Sequence, residues 1–264
     1  MPRLNKKRLP LLFAIATAIV ALAIGIWYIT HHDWHRRTIA VHGVSRRYLW
    51  YPPTTRSTEL RPLVLAYHGF NGPAERLRRS AKLHDMVDSH GFYLAYIQGD
   101  PTWHFFERDE LGGNPDVEMF DVLTDQLLAD YAIDPDRIYV VGISRGGDFV
   151  VHLSLRRSTK VAAMVSQGAC LLDEHPAERP VPMMFIVGTR DEEVRPVKVE
   201  TYPDLYRERG HAVEVLRPEG VPHRWEAPLN EEVWQFLTQY SLNDPAAVPA
   251  EEVKVEEVES ASDQ

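Results

Sequence analysis

Cysteine is almost missing from this chain: Cys170 is the only one in 264 residues. A single thiol excludes an internal disulfide, and because no cysteine stands at the end of the N-terminal apolar run, lipid attachment there is excluded too. Basic charge is scarce as well. Twenty-nine Lys and Arg face 38 Asp and Glu, and the formal net charge of −9 argues against a nucleic-acid partner. No internal repeat and no second globular domain is visible, and this length suits one sizeable domain with tails. Aromatics are absent from Asn243 onward, where Asp244, Glu251, Glu252, Glu256, Glu257, Glu259 and Asp263 stand against Lys254 alone. Such a stretch cannot bury a core, so residues 243–264 are expected to form a disordered acidic tail.

Charge is also missing from Leu11 to Ile29, nineteen residues that follow Arg3, Lys6, Lys7 and Arg8. As a helix this run would rise about 28 Å, close to the hydrocarbon thickness of a bilayer. Trp27 and Tyr28 fall at its far end, where amphipathic rings favour the interface. The expectation is an uncleaved membrane anchor through residues 11–29, with a cytoplasmic N-terminus and the rest in the periplasm or outside the cell. The alternative is secretion after cleavage near Ala21-Leu22-Ala23. His31, His32 and His35 cluster with Asp33 just beyond, and read as a polar linker rather than a metal site. The boundaries expected are 1–34 for anchor and linker, 35–242 for the folded domain and 243–264 for the tail.

In the body, Thr38–His42 and Arg46–Tyr51 predict an opening hairpin. Leu63–Tyr67, Phe92–Ile97, Ile138–Val141, Val161–Val165, Met183–Val187 and Val213–Leu216 are short apolar runs of the kind that make buried strands. Helical spacing follows Leu77 to Val87, Phe120 to Tyr131, Phe149 to Leu155, Val197 to Arg209 and Glu231 to Tyr240. Asp134-Pro135-Asp136 is expected to break the chain before the third buried strand, and residues 98–115 and 167–180 are expected to be long loops. Strands alternating with helices imply an α/β fold, a mostly parallel sheet covered on both faces. Reactive groups then gather at the carboxyl ends of its strands.

One turn stands out. Gly142-Ile143-Ser144-Arg145-Gly146 lies between a buried strand and a helix, which places Ser144 at the apex of a nucleophile elbow. The serine must sit in a strained backbone so that its hydroxyl stands clear, and side chains two positions either side would block the approach of strand to helix. A serine hydroxyl is a poor nucleophile until a base takes its proton, and the base needs an acid to hold its tautomer. Asp191, behind Gly188-Thr189 at a strand end, is the best-placed acid; Asp173 and Glu174 come too soon after the elbow. His223, in the loop after the last strand, is the expected base, whereas His211 suits a surface turn. The amides of Phe70 and Arg145 are the expected oxyanion donors. His68 reads as a structural hydrogen-bonder under the site. Trp103 and Phe105 are expected either to form walls of the substrate pocket or to be buried under the loop that carries them.

These motifs, with Asp136-Arg137-Ile138-Tyr139-Val140 before the elbow, the His68-Gly69 loop, Gly188-Thr189-Arg190-Asp191 and His223-Arg224-Trp225, resemble the α/β-hydrolase superfamily. More closely, they resemble its poly(3-hydroxybutyrate) depolymerase and feruloyl esterase branch, over roughly residues 61–240. The resemblance implies the α/β-hydrolase fold, a three-layer sandwich of about eight strands. It also implies a serine esterase that needs no cofactor or metal and acts on a small-molecule or polymeric ester through an acyl-enzyme. The lone cysteine sets the chain apart from secreted members that carry paired cysteines near the site. Two other uses of the scaffold remain open at this point: acyl transfer on the same three residues, and a non-catalytic, tethered binding protein.

Overall fold

The computed structural model describes residues 17, 19–20, 35–55, 57–104 and 113–243. The chain divides into two units, residues 1–36 and 37–264. In the first, Thr17, Ile19 and Val20 are helical; the remainder of the expected anchor, with His31 and His32, lies outside the described residues. Among the described residues no helix is long and apolar enough to cross a membrane. Asp244 to Gln264, nearly all of the expected tail, also lies outside the described residues. Leu242 donates its amide to the Asp136 carbonyl at 2.9 Å, and Asn243 bonds the Asp136 carboxylate.

Eight strands, all within the second unit apart from Arg36 at the start of the first of them, are β1 (Arg36–Val41), β2 (Val44–Tyr51), β3 (Arg61–Tyr67), β4 (Tyr93–Ile97), β5 (Ile133–Ile143), β6 (Ala163–Gln167), β7 (Met183–Ile186) and β8 (Val213–Leu216). They form one sheet in the order β1-β2-β4-β3-β5-β6-β7-β8. β2 pairs antiparallel with β4, and every pair from β4 to β8 is parallel. Helices α1 (Ala74–Ala81), α2 (Val87–His90), α3 (Pro115–Asp130), α4 (Arg145–Arg156), α5 (Pro196–Glu208) and α6 (Asn230–Leu237) cover it.

The period of two along each strand sorts the core. Leu63, Leu65, Ile138 and Val140 face Phe120, Leu123, Phe149 and Val150 of α3 and α4. Val64, Ala66, Tyr139 and Val141 face Leu77, Val233 and Phe236 of α1 and α6. Burying each large aliphatic side chain contributes about 1.5–3 kcal/mol, so the sandwich is held from both faces.

Two readings of the sequence change. Asp134-Pro135-Asp136 lies within β5, not before it. Register slips here: Arg61 pairs with Ile133 and Leu63 with Ile138, so two steps on β3 match five on β5. The proline, which has no N–H for the ladder, sits in the slipped segment, and Asp134 ties that segment together by accepting from the Asp136 amide and the Arg137 side chain. His211 is not a surface turn. It is buried, Val181 donates its amide to Nδ1 at 2.9 Å, and burial lowers its pKa.

Candidate active site

β5 ends at Ile143 and α4 begins at Arg145, which leaves Ser144 alone between strand and helix. Its φ of 53° and ψ of −123° are a conformation that L residues rarely adopt, at a cost of order 1–3 kcal/mol. Two hydrogen bonds hold it there. The Ser144 amide donates to the Gln167 carbonyl at 2.8 Å, and the Ser144 carbonyl accepts from the Asp148 amide at 2.9 Å. The glycines do the work expected of them. A Cβ at Gly142 would come within 2.2 Å of the Gly146 oxygen, and one at Gly146 within 2.3 Å of the Tyr67 oxygen.

Ser144, His223 and Asp191 meet. The His223 imidazole contacts the Asp191 carboxylate through Nδ1, at 2.9 Å to Oδ2 and 3.1 Å to Oδ1. A carboxylate only accepts, so the proton belongs on Nδ1, and the Nε2 lone pair accepts the Ser144 hydroxyl at 2.9 Å. The Asp191 side chain is buried, and Oδ1 also accepts the amides of Glu193 at 3.0 Å and Val194 at 3.1 Å. Arg190 and Pro222 form a β-bridge that joins the two loops. Gln167 donates to the Arg224 carbonyl at 2.7 Å and fixes the histidine loop from the other side.

His68 occupies the expected supporting place. It is buried, Gly99 donates its amide to Nε2 at 2.9 Å, and Nδ1 therefore donates to the Gly69 carbonyl at 2.7 Å. Burial lowers its pKa, in keeping with a neutral ring. The loop it anchors passes beside the serine: a Cβ on Gly69 would stand 3.4 Å from Ser144 Cβ. Phe70 follows in that loop, and Arg145 supplies the first amide of α4.

Of the two places expected for Trp103, pocket wall or beneath the loop, the structure shows the second: it is 1% exposed. Its indole donates to the His68 carbonyl at 2.7 Å and its rings pack on Tyr67 and Phe149, so it holds the Gly69 loop from below. Phe105 lies outside the described residues. Asp173 is engaged elsewhere, by His152 at 2.9 Å and Arg156 at 2.7 Å. Burial raises its pKa, but the hydrogen bonds from His152 and the His175 amide and the Arg156 charge outweigh that and hold it well below the usual carboxylate range.

Other residues at the site carry no sequence motif. Glu193 Oε2 stands 3.4 Å from His223 Nε2. Asp148, one turn along α4 from the serine, has its carboxyl pushed up to about 6 by burial, against the pull of Lys198, Arg145 and His223. Burial pushes the Cys170 thiol up to about 12, which makes it a poor nucleophile. Around Ser144 the surface opens into two hollows. One, of about 430 Å³, has Phe70, Leu77, Ile143 and Trp225 among its walls; the other, of about 440 Å³, has Asp148, Gly168, Cys170 and Lys198.

A mostly parallel eight-stranded sheet, with a strained serine, a histidine and a buried aspartate gathered at its carboxyl edge, is the architecture of an α/β-hydrolase. The family described as Esterase PHB depolymerase matches residues 46–206, and the chain belongs to it. Among curated relatives, the bifunctional acetylxylan esterase/xylanase XynS20E of Neocallimastix patriciarum is 23% identical over 240 residues, covering 78% of this chain and 35% of that protein. The putative esterase NocK of Nocardia uniformis subsp. tsuyamanensis is 32% identical over 165 residues, 59% of this chain and 48% of its own. The chain thus spans a third to a half of the length of these two relatives. Among solved structures, a thermostable esterase shares the fold with a TM-score of 0.66 at 22% identity, covering 79% of this chain and 63% of that one.

Proposed function

We propose that this protein hydrolyses carboxylic esters through an acyl-enzyme on Ser144. The observation that carries the reading is the continuous relay of 2.9 Å contacts from the Ser144 hydroxyl through His223 to Asp191. Family membership and the esterase relatives agree with it. Ser144 Oγ attacks the ester carbonyl as His223 Nε2 takes its proton. Asp191 keeps the other ring nitrogen protonated and stabilises the imidazolium that forms. The carbonyl oxygen, now an oxyanion, is held by the amides of Phe70 and Arg145, the second of which opens a helix whose dipole favours negative charge. Collapse expels the alcohol with the proton from His223. Water, deprotonated by the same imidazole, then attacks the acyl carbon and releases the acid and free Ser144.

The reading extends to location. The uncharged run from Leu11 to Ile29 behind a basic N-terminus supports a membrane anchor, with the hydrolase on the periplasmic or outer side or released by cleavage. Whether the chain stays with membranes through alkaline extraction tests this part alone.

The enzymatic test uses the full chain in detergent with p-nitrophenyl acetate and butyrate. Ser144→Ala is expected to lower kcat by roughly 10⁶ and to abolish labelling by a fluorophosphonate. Equal turnover in both proteins overturns the assignment. Product analysis with an added alcohol separates hydrolysis from acyl transfer.

A further inference from the structure

The two hollows beside Ser144 differ in chemistry. We propose that the one between α4 and α5 is a subsite for an uncharged, hydroxyl-bearing group of the ester, and that Asp148 and Lys198 select that group. The proposal rests on the esterase reading above and names a part of the substrate which that reading leaves open.

Asp148 takes no part in the serine–histidine–aspartate relay, yet it lines the same hollow as Ser144 and His223. It is half-buried, and the hydrogen bond that its backbone N–H donates to the Ser144 carbonyl fixes it one helical turn from the reacting hydroxyl. Lys198, in the first turn of α5, lines the hollow too and is also half-buried. Of the charges that pull the Asp148 pKa back down, Lys198 is the strongest, and both side chains line this hollow. Glu193 and Arg195, both exposed, line it as well. The hollow therefore carries two acidic and two cationic side chains besides His223.

That balance decides what fits. A cation meets Lys198 and Arg195, and an anion meets Asp148 and Glu193. An alkyl or aryl chain would strip water from a carboxylate and an ammonium and return nothing. A hydroxyl group can donate to the one and accept from the other at once. Apolar substrate carbons have a better place on the opposite side, against Phe70, Leu77, Ile143 and Trp225. A carboxyl whose pKa is raised by burial in a cleft, outside the serine–histidine–aspartate relay, is a candidate for ligand contact.

The test compares three esters of matched size: propyl butyrate, glyceryl 1-monobutyrate, and propyl 2,3-dihydroxybutyrate. The hydroxyls are thus absent, on the alcohol, or on the acyl group. Full-length protein in detergent is expected to prefer one hydroxylated ester over propyl butyrate by about tenfold or more in kcat/KM. Asp148→Ala or Lys198→Met should reduce that ratio at least about fivefold, and which ester wins tells which side of the scissile bond lies in the hollow. If Asp148→Ala does not fold, Lys198→Met, in the first turn of α5, carries the test. A fluorophosphonate-labelled wild type with no such preference, or a preference kept by every variant that folds, overturns the subsite while the esterase reading stands. A wild type that neither labels nor cleaves any of the three overturns the esterase reading, and the subsite with it.

Discussion

Trp225 donates its buried indole N–H to Asn230 Oδ1 at 2.8 Å, and Asn230 in turn donates to the Ala81 carbonyl at 2.7 Å. This pair ties the loop carrying His223 to α1 and α6 on one face of the sheet. Asn230→Leu would leave a buried indole donor and a buried carbonyl without partners, at about 1–3 kcal/mol each. Urea denaturation should show that loss. Turnover should fall further than stability alone explains, because the imidazole two positions before Trp225 loses its support.

Asp191→Asn should leave the fold intact and nearly abolish turnover. An amide in place of the carboxylate favours the wrong imidazole tautomer, with Nε2 protonated and unable to accept from Ser144. In a serine triad this change lowers kcat by roughly 10⁴. A steady-state comparison with wild type at pH 7.5, beside matched melting curves, checks it.

Gly168 has φ of +60°, and a Cβ there would stand 3.1 Å from the His223 ring and 3.3 Å from Asp191 Oδ2. Gly168→Ala therefore combines left-handed strain of about 1–2 kcal/mol with a push on the imidazole. Turnover should drop on the order of tenfold or more, since small displacements of a reacting group are costly. An alanine variant as active as wild type would show that the ring has room to give.

Asp148 links stability to pH. Its carboxyl is raised from an ordinary 3.8 to about 6 in the folded protein, chiefly by burial. The native state thus holds this proton more tightly than the unfolded chain does. The protonated form's contribution is complete below about pH 4 and is lost as pH rises through 6. Asp148→Asn has no charge to bury. It should match wild type near pH 4 and exceed it at pH 8, by at most about 3 kcal/mol. Melting temperatures of both proteins across that range read the difference directly.

Much of the site was legible in the sequence because the elbow is a local device. Gly142, Ser144 and Gly146 are close neighbours whose spacing is set by backbone sterics, and Asp191 and His223 follow from strand ends after it. What escaped depends on contacts between distant segments. Trp103 looks like any loop aromatic until β3 and α4 close over it. His211 follows a helix-ending glycine, and only the Val181 amide shows that it faces inward. The extension of β5 back to Ile133 hides behind a proline that would ordinarily end a strand. Asp148 and Lys198 are 50 positions apart, on helices whose shared hollow no local pattern reveals.

Ser144 directly follows β5, and the loops that carry Asp191 and His223 leave the ends of β7 and β8, strands joined to β5 through β6 in one ladder. A strand advances about 3.3 Å per residue, more than the length of either hydrogen bond in the relay. A shift of a single rung in those pairings would move the roots of these loops by more than either hydrogen bond spans. The ladder is thus the ruler that spaces these atoms, and hydrolysis should vanish as soon as its outer rungs on the β7–β8 side come undone, before the rest of the molecule melts.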